Sequence, residues 1–480
     1  MLFQCIGSIL SSLILRHHPI RSALTVTVLV FAIPPVVIMI TDVATGGESF
    51  QAGQDAAMKG RWKTEALFPL YCLCGVCYGI IELLKRVIPR ALVGGDIDKL
   101  RQVDSIMHIF YEAAGTAGAF LSSFLLLHWG NVYSMVITPI CFSLSAASWW
   151  FISPLPFTPD RTLRGGNVLT SLISLFRDFF ASIALGAKLI FTSRRFCWLP
   201  IGYSLALYGH RYLENGLLPI IAEGYFREPA YTQIMVGGSN LGELLGALLV
   251  LVVGNRVKTP VPWIRMDALF LGLVWVLVFY RPVEGGSLEF VEHRVAWAWK
   301  VTPVLVPISL AWAAGDVSLI AFIQASLNDA GTASTNISAL ASVMAFLYST
   351  YILLFAVLTP TLGVYADDTN EEDAHKAVFA LGGIQYSIIA VVLFVSTFVM
   401  AGAWRWNPSM PRRGKKVAEV EMGDSEDIGE VGMVEERVET YGRYGRSYAR
   451  MRENKLETII EECEGTVSNC SHRSRGRRGE

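Results

Sequence analysis

Residues 234–253, IMVGGSNLGELLGALLVLVV, match a bilayer in length and carry a single ionisable group; no other stretch constrains the chain more. In hydrocarbon each backbone N–H and C=O must be satisfied within the segment, so this run is expected to be an α-helix. Gly238, Gly242 and Gly246 recur every four residues and share one face, where a neighbouring backbone can approach closely. Glu243 lies beside that face, and a carboxylate there is costly unless paired, protonated or turned towards a wet cavity. The helix is expected to stop at Gly254, before a basic turn, NRVKTPVPWIR, and a second apolar run at 266–280.

The start of the chain echoes this unit. IGSILSSL (6–13) aligns with LGELLGAL (241–248), placing Gly7 over Gly242 and Ser11 over Gly246. Both stretches continue into a short cationic turn and another apolar run, here RHHPIR and residues 23–40. A repeated hydropathy pattern of this kind marks a membrane protein built from two halves.

Composition agrees with a polytopic membrane protein: 52% of the residues are hydrophobic and 17% charged, against roughly 25% charged in soluble domains. Mean hydropathy is +0.44. Complete spans are expected near 23–41, 66–84, 105–127, 132–153, 197–221, 233–253, 264–280, 301–325, 338–365 and 377–402. Residues 1–15 are apolar but too short to span, and read as the end of a helix whose beginning is missing. Within 154–196, Leu169, Leu172, Ile173, Phe176, Phe180 and Ile183 recur at helical spacing with Arg177 and Asp178 opposite. That pattern predicts an amphipathic helix on the membrane surface rather than a span.

With the loop after residue 15 placed in the cytoplasm, the loops on that side carry about twice the lysine and arginine of the other side. The tail, 404–480, joins the cytoplasmic side with basic and acidic groups in balance and little apolar sequence. It is expected to be disordered, with the basic cluster 412–416 on anionic lipid headgroups. The net charge of −1 gives no basic surface for nucleic acid. Cys72, Cys74 and Cys77 fall inside an apolar run without a histidine or carboxylate nearby and read as packing residues. The sequons at Asn336 and Asn469 map to the cytoplasmic side and are discounted.

Two groups of spans, a long cytoplasmic linker and a repeated span-turn-span unit resemble the major facilitator superfamily. IPRALVGGDIDKL followed by DSIMHIFYEAAGTAGAF resembles the junction of the fourth and fifth helices in a fungal-type branch of that family. LRHHPIR lacks the acid of the family's cytoplasmic signature, VGNRVKTP has Asn255 in its place, and the fifth helix lacks the antiporter proline. The resemblance implies an all-α, two-bundle fold of about ten complete spans plus a partial one, with the first helix absent. Its parts would be an N-terminal bundle at 1–153, a linker at 154–196, a six-helix bundle at 197–403 and the tail. The fifth and eighth helices of the family meet across the two halves, so the glycine row is expected to pack on Gly115, Ala119 and Ser123. Gly118 is counted with the packing glycines.

Ionisable residues within spans carry the mechanistic reading. His210, Arg211 and Glu214 share a helical face and form either a coupling or substrate site, or a structural ion pair locking two helices. Asn215, Gly216 and Pro219 just beyond them would loosen the helix. Asp104, His108 and Glu112 form a row at i, i+4 and i+8. Its ends are about 12 Å apart, too far for one ion, so no metal site is expected there. A charge latch with Arg256 or Lys258 is the preferred reading of this row. Asp316 either takes a coupling proton or bonds to a neighbouring helix, and Glu243 joins the coupling candidates.

The resulting expectation is a proton-coupled exporter of a small organic molecule, in the plasma membrane, working by alternating access. Uptake or organellar transport is the alternative, and a non-transporting receptor or scaffold the alternative of another class. No catalytic set converges and no GxxxxGK[ST] loop occurs, so neither an enzyme nor an ATP-driven pump is expected, and no cofactor.

Overall fold

The computed structural model describes residues 2–47, 60–93, 97–152, 168–257, 259–280, 294–328, 339–400 and 403–408, all as helices and short connections. The helices in chain order begin with α1 (Leu2–His17), α2 (Ile20–Phe31), α3 (Ile33–Ala44), α4 (Leu67–Val93), α5 (Ile97–Tyr133) and α6 (Ile137–Phe151). There follow α7 (Val168–Thr192), α8 (Ala206–Tyr212), α9 (Leu218–Gly224), α10 (Tyr231–Val253), α11 (Val261–Phe270) and α12 (Val274–Phe279). The last three are α13 (Arg294–Asn328), α14 (Ala339–Val378) and α15 (Gln385–Ser396). Asn336, Lys258 and nearly all of the tail lie outside the described residues, as do the side chain of Asp104 and the linker before Val168.

Nine helical stretches among the described residues are long and apolar enough to cross a membrane, and they match nine of the ten expected spans. Their outward faces are apolar: Phe110 is 72% exposed, Val252 78% and Phe279 70%. So much apolar surface on so many helices requires lipid rather than water as the surrounding solvent, and the chain is an all-α, multi-pass membrane protein.

The tenth span, expected at 197–221, is not one regular helix. Turns of π-helix at Pro200–Leu205 and Leu213–Leu217 flank α8, and α9 continues beyond them. Proline explains both breaks. Pro200 opens the first turn, and Pro219 has no N–H to offer the carbonyl of Asn215 four residues back. The loosening read from Asn215, Gly216 and Pro219 thus takes the form of a π turn. Pro34 and Pro35 similarly divide one span into α2 and α3 at Ala32.

Packing repeats within the chain. α1 lies on α4 as α10 lies on α13, and α2 on α6 as α11 lies on α15. Across the two sets, α5 packs on α10 and α1 touches α14, where Gln4 Nε2 donates to the Tyr348 hydroxyl at 2.9 Å. The internal echo is therefore structural. A Cβ at Gly7 would strike the Val76 carbonyl of α4, and Cβ atoms at Gly242 and Gly246 would strike the Val306 and Leu310 carbonyls of α13.

This corrects the expected partner of the glycine row. Gly238, Gly242 and Gly246 face Thr302, Val306 and Leu310 of α13, not Gly115, Ala119 and Ser123. α5 meets α10 along a different face, Gly237 against Phe120 and Gly115 against Asn240. Gly118 has nothing within 4 Å of an added Cβ, so it is not a packing glycine. The glycine face does pack tightly, but one helix here has close neighbours on two sides and spacing alone cannot say which neighbour takes which side.

The amphipathic helix is present as α7 and its second half seats on the first turns of α14. Ser182 Oγ lies 3.2 Å from Ser342 Oγ, and Phe191 meets Phe346 edge to face. Arg265 of α11, only 2% exposed, fastens the end of the last span. Its Nε donates to Thr397 Oγ1 at 3.0 Å, its Nη1 to the Arg405 carbonyl at 2.8 Å and its Nη2 to the Ala403 carbonyl. The guanidinium also lies over the Phe398 ring, 4.4 Å from its centre.

Candidate functional site

α8 and the π turn after it carry the ionisable cluster read from the sequence, but they divide it. Arg211 keeps Glu214, three residues on, whereas His210 leaves the pair for a partner on another helix. Arg211 Nη1 donates to Glu214 Oε2 at 2.8 Å. Glu214 Oε1 accepts from Ser239 Oγ of α10 at 2.8 Å, and Ser239 Oγ is 2.7 Å from Ser309 Oγ of α13. Each carboxylate oxygen of Glu214 is thereby satisfied, one by a cation and one by a chain of hydroxyls that links three helices.

His210 turns the other way. Its Nε2 is 2.8 Å from Asp267 Oδ1 of α11, and its ring stacks on Trp312 at a centroid distance of 4.9 Å. Both members of this pair are almost fully buried. Asp267, Asp316, Tyr203 and Trp312 line a narrow crevice, into which Asp267 Oδ2 and Asp316 Oδ1 bring buried oxygens that have no hydrogen-bond partner among the described residues. Asp267→Leu should lower the melting temperature in detergent, because an unpaired buried imidazole costs about 1–3 kcal/mol. An unchanged melting temperature would show that the pair adds nothing to the fold.

A second set of charges meets where α5 packs on α10. Glu112 and Glu243, both buried, bring carboxyl oxygens within 4.8 Å of each other. His108 Nε2 lies 3.8 Å from Glu112 Oε1, one helical turn away on α5. Arg211 connects the two sets, since Glu243 and Glu214 are both among the charges acting on it. Tyr78 of α4 and Tyr111 of α5 also act on Arg211, and Arg211 in turn acts on Tyr351 of α14. About a third of the Arg211 side chain remains exposed.

The coupling candidates Arg211, Glu214 and Glu243 therefore come together, with Glu112 added from the latch set, while His210 and Asp316 belong to the neighbouring crevice. Of the latch set, Lys258 and the side chain of Asp104 lie outside the described residues. Arg256 lies exposed beyond α10, where its carbonyl accepts from Asn407 Nδ2, and Glu112 turns to Glu243 instead. Asp267, Ser239, Ser309 and the three tyrosines are not singled out by the sequence. Asp267 stands in the first turn of the apolar run 266–280, two residues after Arg265, and serines and tyrosines in spans are too common to stand out.

No family model matches the chain, and no curated protein matches it in sequence. Among solved structures, the crystal structure of a point mutant of the nucleoside transporter NupG is similar over 83% of this chain and 91% of its own, at 15% identity and a TM-score of 0.41.

Proposed function

We propose that the chain is a secondary transporter of the major facilitator type that moves a small organic molecule by alternating access, exporting it in exchange for protons. One observation carries this reading: Arg211, Glu214, Glu112 and Glu243 gather within the spans, where helices of the two repeated sets meet. Buried charge is expensive in a bilayer, and a static receptor or scaffold has no use for it. At a seam between repeats it marks the place where substrate and coupling ion bind while the halves rock. Arg211, partly exposed and under the influence of Tyr78, Tyr111 and Tyr351, suits a substrate with an anionic or hydrogen-bond-accepting group and a flat apolar body. The facing carboxyls of Glu112 and Glu243 are the proposed holders of the coupling proton, because two buried carboxylates close together repel each other unless one of them takes a proton.

The test is reconstitution of the full chain in proteoliposomes containing a pH-sensitive dye. A panel of aromatic acids, amino-acid derivatives and other small amphiphiles is then added across an imposed pH gradient. A compound that collapses the gradient only in liposomes containing the protein supports the reading. Movement of a compound without protons would remove the coupling, and no movement across a broad panel would favour a receptor.

A further inference from the structure

We propose that His108, Glu112 and Glu243 form a binding site for one divalent transition-metal cation of the zinc class, held across the contact between α5 and α10. The ligand atoms of the three side chains lie within 4.8 Å of one another. Donors about 2.0–2.2 Å from a tetrahedral ion stand roughly 3.4 Å apart, so a closure of about an ångström completes the set. His108 Nε2 already stands 3.8 Å from Glu112 Oε1. The row Asp104, His108 and Glu112 on one helix predicts no ion here, because its ends are too far apart. The third ligand comes instead from the facing helix.

Two further observations point to a cation. His108 Nε2 is shielded from solvent and has no hydrogen-bond partner among the described residues, although it faces two carboxyl groups. A proton shared by Glu112 and Glu243 leaves that nitrogen unused, whereas a metal ion engages it. Charge also falls short. Glu214 engages the cation of Arg211 and Lys85 engages Glu82 at 3.2 Å and the Tyr111 ring at 3.9 Å, so Arg211 and Lys85 reach Glu112 and Glu243 only from a distance, and no lysine or arginine forms an ion pair within 4 Å of either among the described residues. One imidazole and two carboxylates suit zinc or cobalt, while magnesium and calcium prefer more, all-oxygen ligands. The fourth position stays open to water or to a substrate group.

The ion would compete with the coupling proton and tie a helix of one repeat to a helix of the other. That consequence rests on the transport reading. Binding itself does not, and is measured without transport. The full chain, with all eight cysteines replaced by serine to remove thiol ligands and with no histidine tag, is purified in detergent and titrated with Zn²⁺ and with Co²⁺. One equivalent should bind, with a Co²⁺ absorption spectrum of nitrogen and oxygen ligation, unaffected by a large excess of Mg²⁺. His108→Ala and Glu243→Gln should each weaken binding at least about tenfold. His108→Cys should restore it with a thiolate-to-cobalt charge-transfer band, a signal that a merely misfolded protein does not give. No stoichiometric binding, binding indifferent to both substitutions, or a His108→Cys protein without the thiolate band would overturn the proposal.

Discussion

Glu214→Gln should cut proton-coupled transport at least about tenfold while the protein still reaches the membrane, because the substitution keeps the side chain's size but removes the charge that Arg211 needs. Breaking a fully buried ion pair from one side costs about 3–5 kcal/mol, most of it the burden of the charge left behind, and the exposed third of Arg211 lowers that cost here. The charge left behind is Arg211, only 2.8 Å from Glu214. Glutamine retains an acceptor for Ser239 Oγ, so the link to Ser309 survives and the loss reports on charge rather than on the hydroxyl chain. Arg211→Gln combined with Glu214→Gln should be better folded than Glu214→Gln alone yet remain inactive. The measurement is initial rate in proteoliposomes together with yield of monodisperse protein. Full activity in Glu214→Gln would make the pair a structural lock, the other reading open from the sequence.

Gly242→Leu should act on folding rather than on turnover. Its new side chain would enter the Val306 carbonyl and press on the Ser309 side chain, with Cβ 3.0 Å from Ser309 Cβ. Overpacking in a well-packed core typically costs about 1–3 kcal/mol, and backbone yields less readily than side chains. The same substitution at Gly118, where an added Cβ meets nothing within 4 Å, should leave yield and melting temperature unchanged. Loss of monodisperse protein for Gly242→Leu and retention for Gly118→Leu is the expected pair of results in size-exclusion profiles. Equal tolerance of both would mean that α10 and α13 do not pack backbone to backbone.

These two predictions draw on different depths of reading. The positions of the spans are legible because hydrocarbon demands long apolar helices, and a glycine every fourth residue announces a close contact. The repeat between 6–13 and 241–248 is legible for the same reason, and α1 on α4 against α10 on α13 gives it a physical meaning. Which helix meets which face is not legible. Gly242 turns to Val306 rather than to Gly115, a choice made by the whole bundle. The charged cluster is half legible. Spacing at 3.6 residues per turn groups His210 with Glu214, but His210 pairs with Asp267, 57 residues away on α11, which no local spacing announces. Long-range partners such as Glu112 with Glu243 leave no local pattern at all.

Alternating access requires the space around Arg211 to open to the two membrane faces in turn. Tyr78→Cys, in a background without native cysteines, places a thiol among the groups acting on Arg211. Its reaction with a membrane-impermeant thiol reagent is measured in sealed vesicles, with the reagent applied from either face. Reaction from both faces is expected. Locking α5 to α10 beforehand, through a disulfide between cysteines at Gly115 and Asn240, should abolish reaction from one face and leave it from the other. Reaction from one face alone without the lock, or unchanged reaction from both faces with it, would contradict alternating access in this protein.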